Sequence, residues 1–182
     1  LINIRSALAD VGSPLGFEGP PALTAFDVFS GYLVLDALIA NRDRHEQNWA
    51  ILAPRVNDAR DVLAPSYDHA SSLGYNLMDE RRETYLAAPE TLRGWAEKGT
   101  AYRFEHSRHP ESLVSLAMNA LSLASGQGAD WWMERIGSLS LESVSSELLS
   151  GRVPDMSPSA ARFAHQLLEV NVGRLRDAVR NG

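Results

Sequence analysis

Cysteine is absent from the 182 residues of the sequence, which excludes a disulfide framework and any metal site with thiolate ligands. This absence suits a reducing compartment, and we expect a cytoplasmic protein. Long apolar runs are missing as well. The best candidate, Tyr32 to Ala40, is interrupted by Asp36 and is much shorter than the roughly 18 residues that a membrane span needs. We therefore expect no membrane association.

Positive charge is scarce, and lysine is nearly absent. The formal net charge is −6, and of the 17 lysine and arginine residues only Lys98 is a lysine. This balance argues against a simple basic surface for nucleic acid, so we expect no direct nucleic-acid binding. The C-terminal segment is locally basic, a pattern that favours a solvated helix face; its arginines are Arg162, Arg174, Arg176 and Arg180.

The hydrophobic pattern predicts a mainly α-helical domain with one small β-hairpin. Hydrophobic residues make up 45% of the sequence and charged residues 22%, as in ordinary globular proteins. Thr24 can cap a helix that runs to about Ala40 and is apolar on most sides, so this helix should lie at the centre of the core. Residues 49–52 and 61–63 are then expected to form two short strands, joined by a turn over residues 54–60.

The second half of the chain is expected to be helical, except for one long polar segment. Residues 81–109 are polar and poorly periodic, which favours a surface segment or a lid. The predicted helices start with Pro110 at the first helical position, at Trp131-Trp132, near Leu141, and at Ser157 as a cap with Pro158 following it. Core packing is the favoured interpretation of the two tryptophans.

The residues that carry chemistry lie in the loop after the central helix and just after the hairpin. Asp43 is followed five residues later by Asn48, and Asp68 comes after the second strand. In kinases, the first aspartate of such a series lies beside the attacking hydroxyl, the asparagine binds metal, and the later aspartate holds Mg²⁺ against the nucleotide phosphates. One carboxylate and one amide oxygen suit this hard cation. Because the hairpin should fold Asp68 back toward Asn48, the triplet predicts a phosphotransferase site that uses Mg²⁺ and ATP.

The histidines leave further possibilities open. His45 could orient the catalytic aspartate or act as a proton acceptor, and it could equally be a structural histidine bonded to the backbone. Asp43, His45, Asp68 and His69 could instead form a zinc or two-metal hydrolase site, although such sites usually need a further ligand at a defined spacing. The candidates are therefore Asp43 and His45 for catalysis, and Asn48 and Asp68 for metal and cofactor binding.

These residues lie in two segments that resemble a known family. Residues 41–49 are similar to the catalytic loop of HipA-type serine/threonine kinases, the toxins of bacterial toxin–antitoxin modules, and residues 63–74 are similar to the metal-binding segment of that family. The resemblance covers Thr24 to Gly74 well and the remainder only by its helical pattern. An Asp-Arg-His-x-x-Asn string also occurs in lipid kinases of the phosphatidylinositol type, so the first segment marks a kinase-like fold more than one substrate.

The resemblance implies roles for the residues and an architecture for the chain. Asp43 would be the catalytic aspartate, and Asn48 and Asp68 would bind Mg²⁺. The family carries its ATP-phosphate lysine in a smaller, β-rich N-terminal lobe, whereas Lys98 follows Asp68 and is on the wrong side in sequence for that role. Residues 1–182 are thus expected to form a single kinase C-terminal lobe that lacks its N-lobe, binds ATP weakly and has little or no activity alone.

The expected function in the parent protein is Mg·ATP-dependent phosphorylation of a Ser or Thr hydroxyl in a protein substrate. An antitoxin is a possible further partner by the same resemblance. Two alternatives stay open. One is a phosphotransferase for a small molecule or a lipid, and the other is a pseudokinase-like binding module without catalysis.

Overall fold

The computed structural model describes residues 1–55, 60–105 and 108–182, and it confirms a mainly helical fold with one small antiparallel hairpin. Part of the turn expected over residues 54–60 lies outside the described residues. In chain order the elements are α1 (Ile2–Ala7), α2 (Ala25–Ile39), β1 (Ile51–Leu52), β2 (Val62–Leu63), α3 (Asp79–Leu86), α4 (Pro89–Glu97), α5 (Tyr102–Glu105), α6 (Leu113–Leu123), α7 (Gly126–Ser138), α8 (Glu142–Leu149) and α9 (Pro158–Asn181).

Helix α2 lies at the centre of the core, as its apolar sequence predicts. Its N-terminus is closed by a reciprocal capping box, in which the Thr24 hydroxyl accepts from the Asp27 N–H and the Asp27 carboxylate accepts from the Thr24 N–H. Phe29 and Leu33 are buried, and the helix packs against α6, α7 and α9. Its C-terminal cap is Ala40, with a left-handed φ of 54°, so the chain turns sharply at the point where the candidate loop begins.

The hairpin also forms where the sequence predicts it. Ile51 pairs with Leu63 and Leu52 with Val62 in antiparallel register. Leu63 is fully buried beside α2, whereas both side chains of β1 are exposed. The second strand therefore anchors the hairpin to the core, and the chain that leaves it returns to the end of α2.

Most of the described residues in the stretch 81–109 are exposed or half-buried, as expected of a surface segment, but the expectation of an irregular segment is wrong because most of the stretch is helical. Helices α3, α4 and α5 form there, and the buried face of α4 consists of Leu92 and Ala96. The Trp95 ring packs edge-on against Phe163 of α9, with ring centroids 5.4 Å apart. These helices are short and rich in charge, so each buries too few apolar side chains to produce a clear period in the sequence.

Two helix starts in the second half were placed wrongly by the sequence. Helix α6 is capped by Ser112, whose hydroxyl accepts from the Ser115 N–H, so Pro110 lies before the helix and not at its first position. Helix α7 begins at Gly126 and not at Trp131, because Ser125 caps it and accepts from the Gly128 N–H. The predicted start of α9 is confirmed, with Ser157 as its cap and Pro158 at its first position.

The C-terminal arginines are engaged within the molecule. Arg174 donates to the Ala96 carbonyl, and Arg176 donates to the Leu139 carbonyl. Arg162 forms an ion pair with Glu83 of α3. These side chains therefore connect α9 to its neighbours and are not a free basic stripe. Among the helices of the described residues, none has both the length and the apolar character that a bilayer crossing requires.

Helices α2 and α7 approach closely at Gly31, which allows a specific prediction. A Cβ added at Gly31 would lie 1.9 Å from Cζ2 of Trp132, and the Trp132 indole N–H donates to the Asp27 carbonyl. We expect Gly31→Ala to lower the free energy of unfolding by about 1–3 kcal/mol, because the ring must leave its site. Urea denaturation followed by circular dichroism measures the change.

Gly94 in α4 is the matched control for this substitution. A Cβ added at Gly94 meets nothing within 4 Å, so Gly94→Ala should raise the free energy of unfolding by about 0.5–1 kcal/mol. Equal effects of the two substitutions would contradict the close packing of α2 on Trp132.

Candidate active site

A buried ion pair fixes the loop that follows α2. The guanidinium of Arg44 donates through Nε to Asp36 Oδ2 at 2.7 Å and through Nη2 to Asp36 Oδ1 at 2.9 Å, and the two side chains are only 3% and 2% exposed. Asn41 Nδ2 donates to the same carboxylate at 2.8 Å. Asp36 lies in the last turn of α2, so the loop is anchored to the central helix by a bidentate, charge-assisted contact.

The same guanidinium reaches both of the segments that carry the candidate residues. Arg44 Nη1 donates to the Asn48 carbonyl at 2.5 Å, and Nη2 donates to the Ser66 hydroxyl at 3.1 Å. Arg44 therefore sets the position of Asn48 relative to the segment that leads to Asp68. Sequence analysis missed this role. The available signal was Asp36 itself, a carboxylate near the end of a largely apolar helix, because a carboxylate is rarely buried without a partner.

A tyrosine provides a second connection between α2 and this segment. The Tyr32 hydroxyl donates to the Ala64 carbonyl at 2.9 Å, one residue after β2. Burial raises the pKa of Tyr32 to about 12, so the hydroxyl remains a protonated donor at physiological pH. The chain from the hairpin toward Asp68 is thereby held against the central helix.

The structure brings Asn48 and Asp68 together, as the hairpin geometry predicts. Asn48 Nδ2 donates to Asp68 Oδ2 at 2.6 Å, and Asn48 is buried while Asp68 is exposed. Asp68 has a φ of 58°, in the left-handed region that residues other than glycine seldom adopt. The backbone at Asp68 is thus held in an uncommon conformation that aims its carboxylate at the Asn48 amide.

The Asn48–Asp68 pair fits a magnesium ion. Within the part of the chain that the structure describes, the buried Oδ1 of Asn48 has no hydrogen-bond partner. It is a hard amide oxygen next to a carboxylate, and Mg²⁺ is typically held by one or two such protein ligands together with waters and substrate phosphates. Residues 1–55, 60–105 and 108–182 contain no cluster of three or more His, Asp or Glu side chains that could hold a metal, so the zinc or two-metal alternative gains no support.

Asp43 lines an open cavity of about 340 Å³, and neither Asn48 nor Asp68 is among the described residues that line it. Its Oδ1 accepts from Arg103 Nε of α5 at 2.7 Å, and its Oδ2 accepts from the Ser71 hydroxyl at 3.4 Å. The hydrogen bond and the charge of Asp43 raise the pKa of Arg103 above its usual value. The triplet thus divides into a metal-type pair and a separate carboxylate that faces space large enough for part of a substrate.

The two histidines contact the loops in which they lie. His45 Nδ1 accepts from the Gln47 N–H at 3.2 Å, which is the contact of a structural histidine, and its catalytic role stays a prediction. His69 Nε2 lies 3.1 Å from the Ser66 hydroxyl, which is also bound by Arg44. His69 therefore helps to position the Ser66 segment, and among the described residues it has no contact that indicates a catalytic role.

The helical fold, with a hairpin that leads into the Asn48–Asp68 pair, is that of a kinase-like C-terminal lobe. No protein-family profile matches the sequence, and no curated protein matches it. Among solved structures, the chain is similar to a Helicobacter pylori proinflammatory kinase, CtkA, with a TM-score of 0.66 and 19% sequence identity. The match covers 86% of this chain and 52% of that kinase, so the chain spans about half the length of its structural neighbour. At this identity the likeness shows the fold alone.

The Asp36–Arg44 pair supplies a prediction for stability. Arg44→Met leaves the Asp36 carboxylate buried without a countercharge, and we expect the free energy of unfolding to fall by about 3–5 kcal/mol. The double substitution Asp36→Leu with Arg44→Met removes both charges and should restore most of that loss. Urea denaturation of the three proteins measures both effects.

Arg93→Met is the control for this series. Arg93 pairs with Glu97 on the surface of α4, where the side chains are 58% and 52% exposed. Its loss should cost less than about 1 kcal/mol. If Arg44→Met costs no more than Arg93→Met, the buried pair does not anchor the loop.

Proposed function

We propose that the chain carries the metal-binding and acceptor-binding part of a Mg·ATP-dependent kinase that phosphorylates a Ser or Thr hydroxyl of a protein. The observation that carries this proposal is the contact between the Asn48 amide and the Asp68 carboxylate, with an unpartnered amide oxygen beside it. The kinase-like fold and the resemblance of residues 41–49 and 63–74 to HipA-type kinases support it.

The residues divide the work of phosphoryl transfer between them. Asn48 and Asp68 would hold Mg²⁺, which neutralises charge on the β- and γ-phosphates when it is bound. Asp43 orients the acceptor hydroxyl and takes its proton as the new bond between the acceptor oxygen and the γ-phosphorus forms. The bond from that phosphorus to the β–γ bridging oxygen breaks, ADP leaves, and the proton passes from Asp43 to solvent. Positioning of these groups supplies most of the catalysis.

A second lobe completes the proposed enzyme. Kinases bind the ATP phosphates with a lysine, and the one lysine of this chain, Lys98, is the C-cap residue that follows α4. Lys98 does not line the cavity beside Asp43. Ile51 and Leu52 leave apolar side chains exposed on β1, next to the segment that carries Asn48, and this surface suits a packed partner lobe.

Metal binding tests the first part of the proposal. Titration of the purified chain with Mg²⁺ and an ATP analogue, followed by amide NMR, should shift the Asn48 side-chain signals. Asp68→Asn should weaken Mg²⁺ binding by about tenfold or more, because one anionic ligand is lost. Asp61→Asn removes the same charge from an exposed position before β2 and should leave the affinity unchanged. Equal affinities for both variants would contradict the assignment.

Phosphoryl transfer tests the second part. The full-length natural protein, incubated with Mg²⁺, labelled ATP and a bacterial lysate, should label a protein, and Asp43→Asn should abolish the label while Mg²⁺ binding persists. Label in a small molecule or a lipid would favour the corresponding phosphotransferase. Binding of Mg·ATP without any transfer would favour the pseudokinase-like module.

A further inference from the structure

The cavity beside Asp43 is positively charged in an otherwise acidic protein. Among the described residues that line it, the two arginines Arg42 and Arg103 outnumber the one carboxylate, Asp43. The net charge of the whole chain is −6, so the excess of arginine at this cavity is opposite in sign to the charge of the chain. A cleft in which one sign of charge is in excess attracts ligands of the opposite sign.

Arg103 of α5 forms an ion pair with Asp43, the carboxylate that the proposed phosphoryl transfer requires. Arg103 Nε donates to Asp43 Oδ1 at 2.7 Å, and the two side chains are 48% and 29% exposed. Exposed ion pairs of this kind are weak and exchange partners readily. An acceptor hydroxyl that approaches Asp43 therefore competes with Arg103 for the same oxygen.

The second arginine is held at the same cavity by an aromatic contact. The guanidinium of Arg42 lies over the Tyr102 ring, 5.8 Å from its centroid. In the described part of the chain, no carboxylate forms an ion pair with Arg42. Tyr102 and Arg103 are neighbours on α5, so this short helix contributes one arginine to the cavity and the ring that contacts the other. Guanidinium groups bind carboxylates through paired N–H donors, which makes the cavity suited to an anionic side chain.

We propose that this cavity binds a carboxylate of the acceptor peptide, next to the hydroxyl to be modified, and that this carboxylate draws Arg103 away from Asp43. The volume of about 340 Å³ is enough for one or two side chains of a peptide. The peptide specificity rests on the proposed kinase function for its acceptor hydroxyl, but the binding of the carboxylate does not. Arg103 thereby has two roles. It selects the acidic peptide, and it blocks the Asp43 carboxylate until the peptide carboxylate replaces Asp43 as its partner; we call this second role the latch.

The latch has a consequence for substrate choice. A peptide with glutamates beside its serine supplies a new partner for Arg103 and frees the Asp43 carboxylate. A neutral peptide of the same shape leaves the ion pair in place. The chain thus selects acidic sequences before any chemistry occurs.

The test compares two peptides that differ only in charge. One carries a serine flanked by glutamates, and in the other each glutamate is replaced by glutamine. Fluorescence anisotropy with the purified chain at low salt, without nucleotide, should show about tenfold tighter binding of the glutamate peptide. The Nε–H signal of Arg103 should move on addition of this peptide and stay in place with the glutamine peptide.

Substitutions then assign the preference to the cavity. Arg42→Gln and Arg103→Gln should each bring the affinity for the glutamate peptide down toward that for the glutamine peptide, and Arg103→Lys should retain part of the preference. Arg152→Gln removes the same charge from an exposed residue that pairs with Glu147 outside the cavity, and it should keep the full preference. Equal binding of the two peptides by the unaltered chain would overturn the proposal, as would an equal loss in Arg152→Gln.

Kinetics separate the latch from a merely structural role. In the full-length protein, Arg103→Gln should lower kcat/KM for the glutamate peptide and raise it for the glutamine peptide, because Asp43 is freed. A parallel loss for both peptides would overturn the latch. A charge-dependent preference without any phosphoryl transfer would refute the proposed function and leave the carboxylate site standing. Phosphoryl transfer to both peptides at equal rates would support the proposed kinase function and refute the carboxylate site.

Discussion

The buried ion pair between Asp36 and Arg44 is the contact on which the candidate site depends. A carboxylate at the end of the central helix is tolerable in the core only because a guanidinium binds it through two donors. The remaining donors of that guanidinium bind the Asn48 carbonyl and the Ser66 hydroxyl. One side chain therefore couples the end of α2 to both segments that meet at the proposed metal position.

The geometry around this pair explains why the site is rigid on one side and open on the other. Asn48 is buried behind the Arg44 network, and the left-handed backbone of Asp68 directs its carboxylate toward Asn48. Asp43 lines the open cavity, partly exposed and paired with an arginine from a short helix. The part that would hold a metal is thus fixed by the core, whereas the part that would meet an acceptor is adjustable.

Much of this arrangement is predictable from the sequence, and the failures have physical causes. The helix from Thr24 and the hairpin follow from capping and apolar patterning, which are local, and the hairpin then brings Asp68 back to Asn48. The Asp36–Arg44 pair is not predicted although its residues are close in sequence, because its burial and the contact of Arg44 with Ser66 depend on how the loop packs and not on a local pattern. The helices over residues 81–105 were missed because the buried face of α4 is made by Leu92 and Ala96 alone, against α9. Two apolar residues are too few to show a helical period, so the sequence of α4 cannot be distinguished from that of a polar loop.

The most direct test of the account is a crystal structure of the chain grown with Mn²⁺, as an anomalous substitute for Mg²⁺, and an ATP analogue that cannot be hydrolysed. The account predicts one anomalous peak within about 2.5 Å of both Asn48 Oδ1 and an Asp68 carboxylate oxygen. A peak elsewhere, or Asn48 and Asp68 side chains that lie more than about 8 Å apart in the crystal, would contradict it, because no single ion could then bind both.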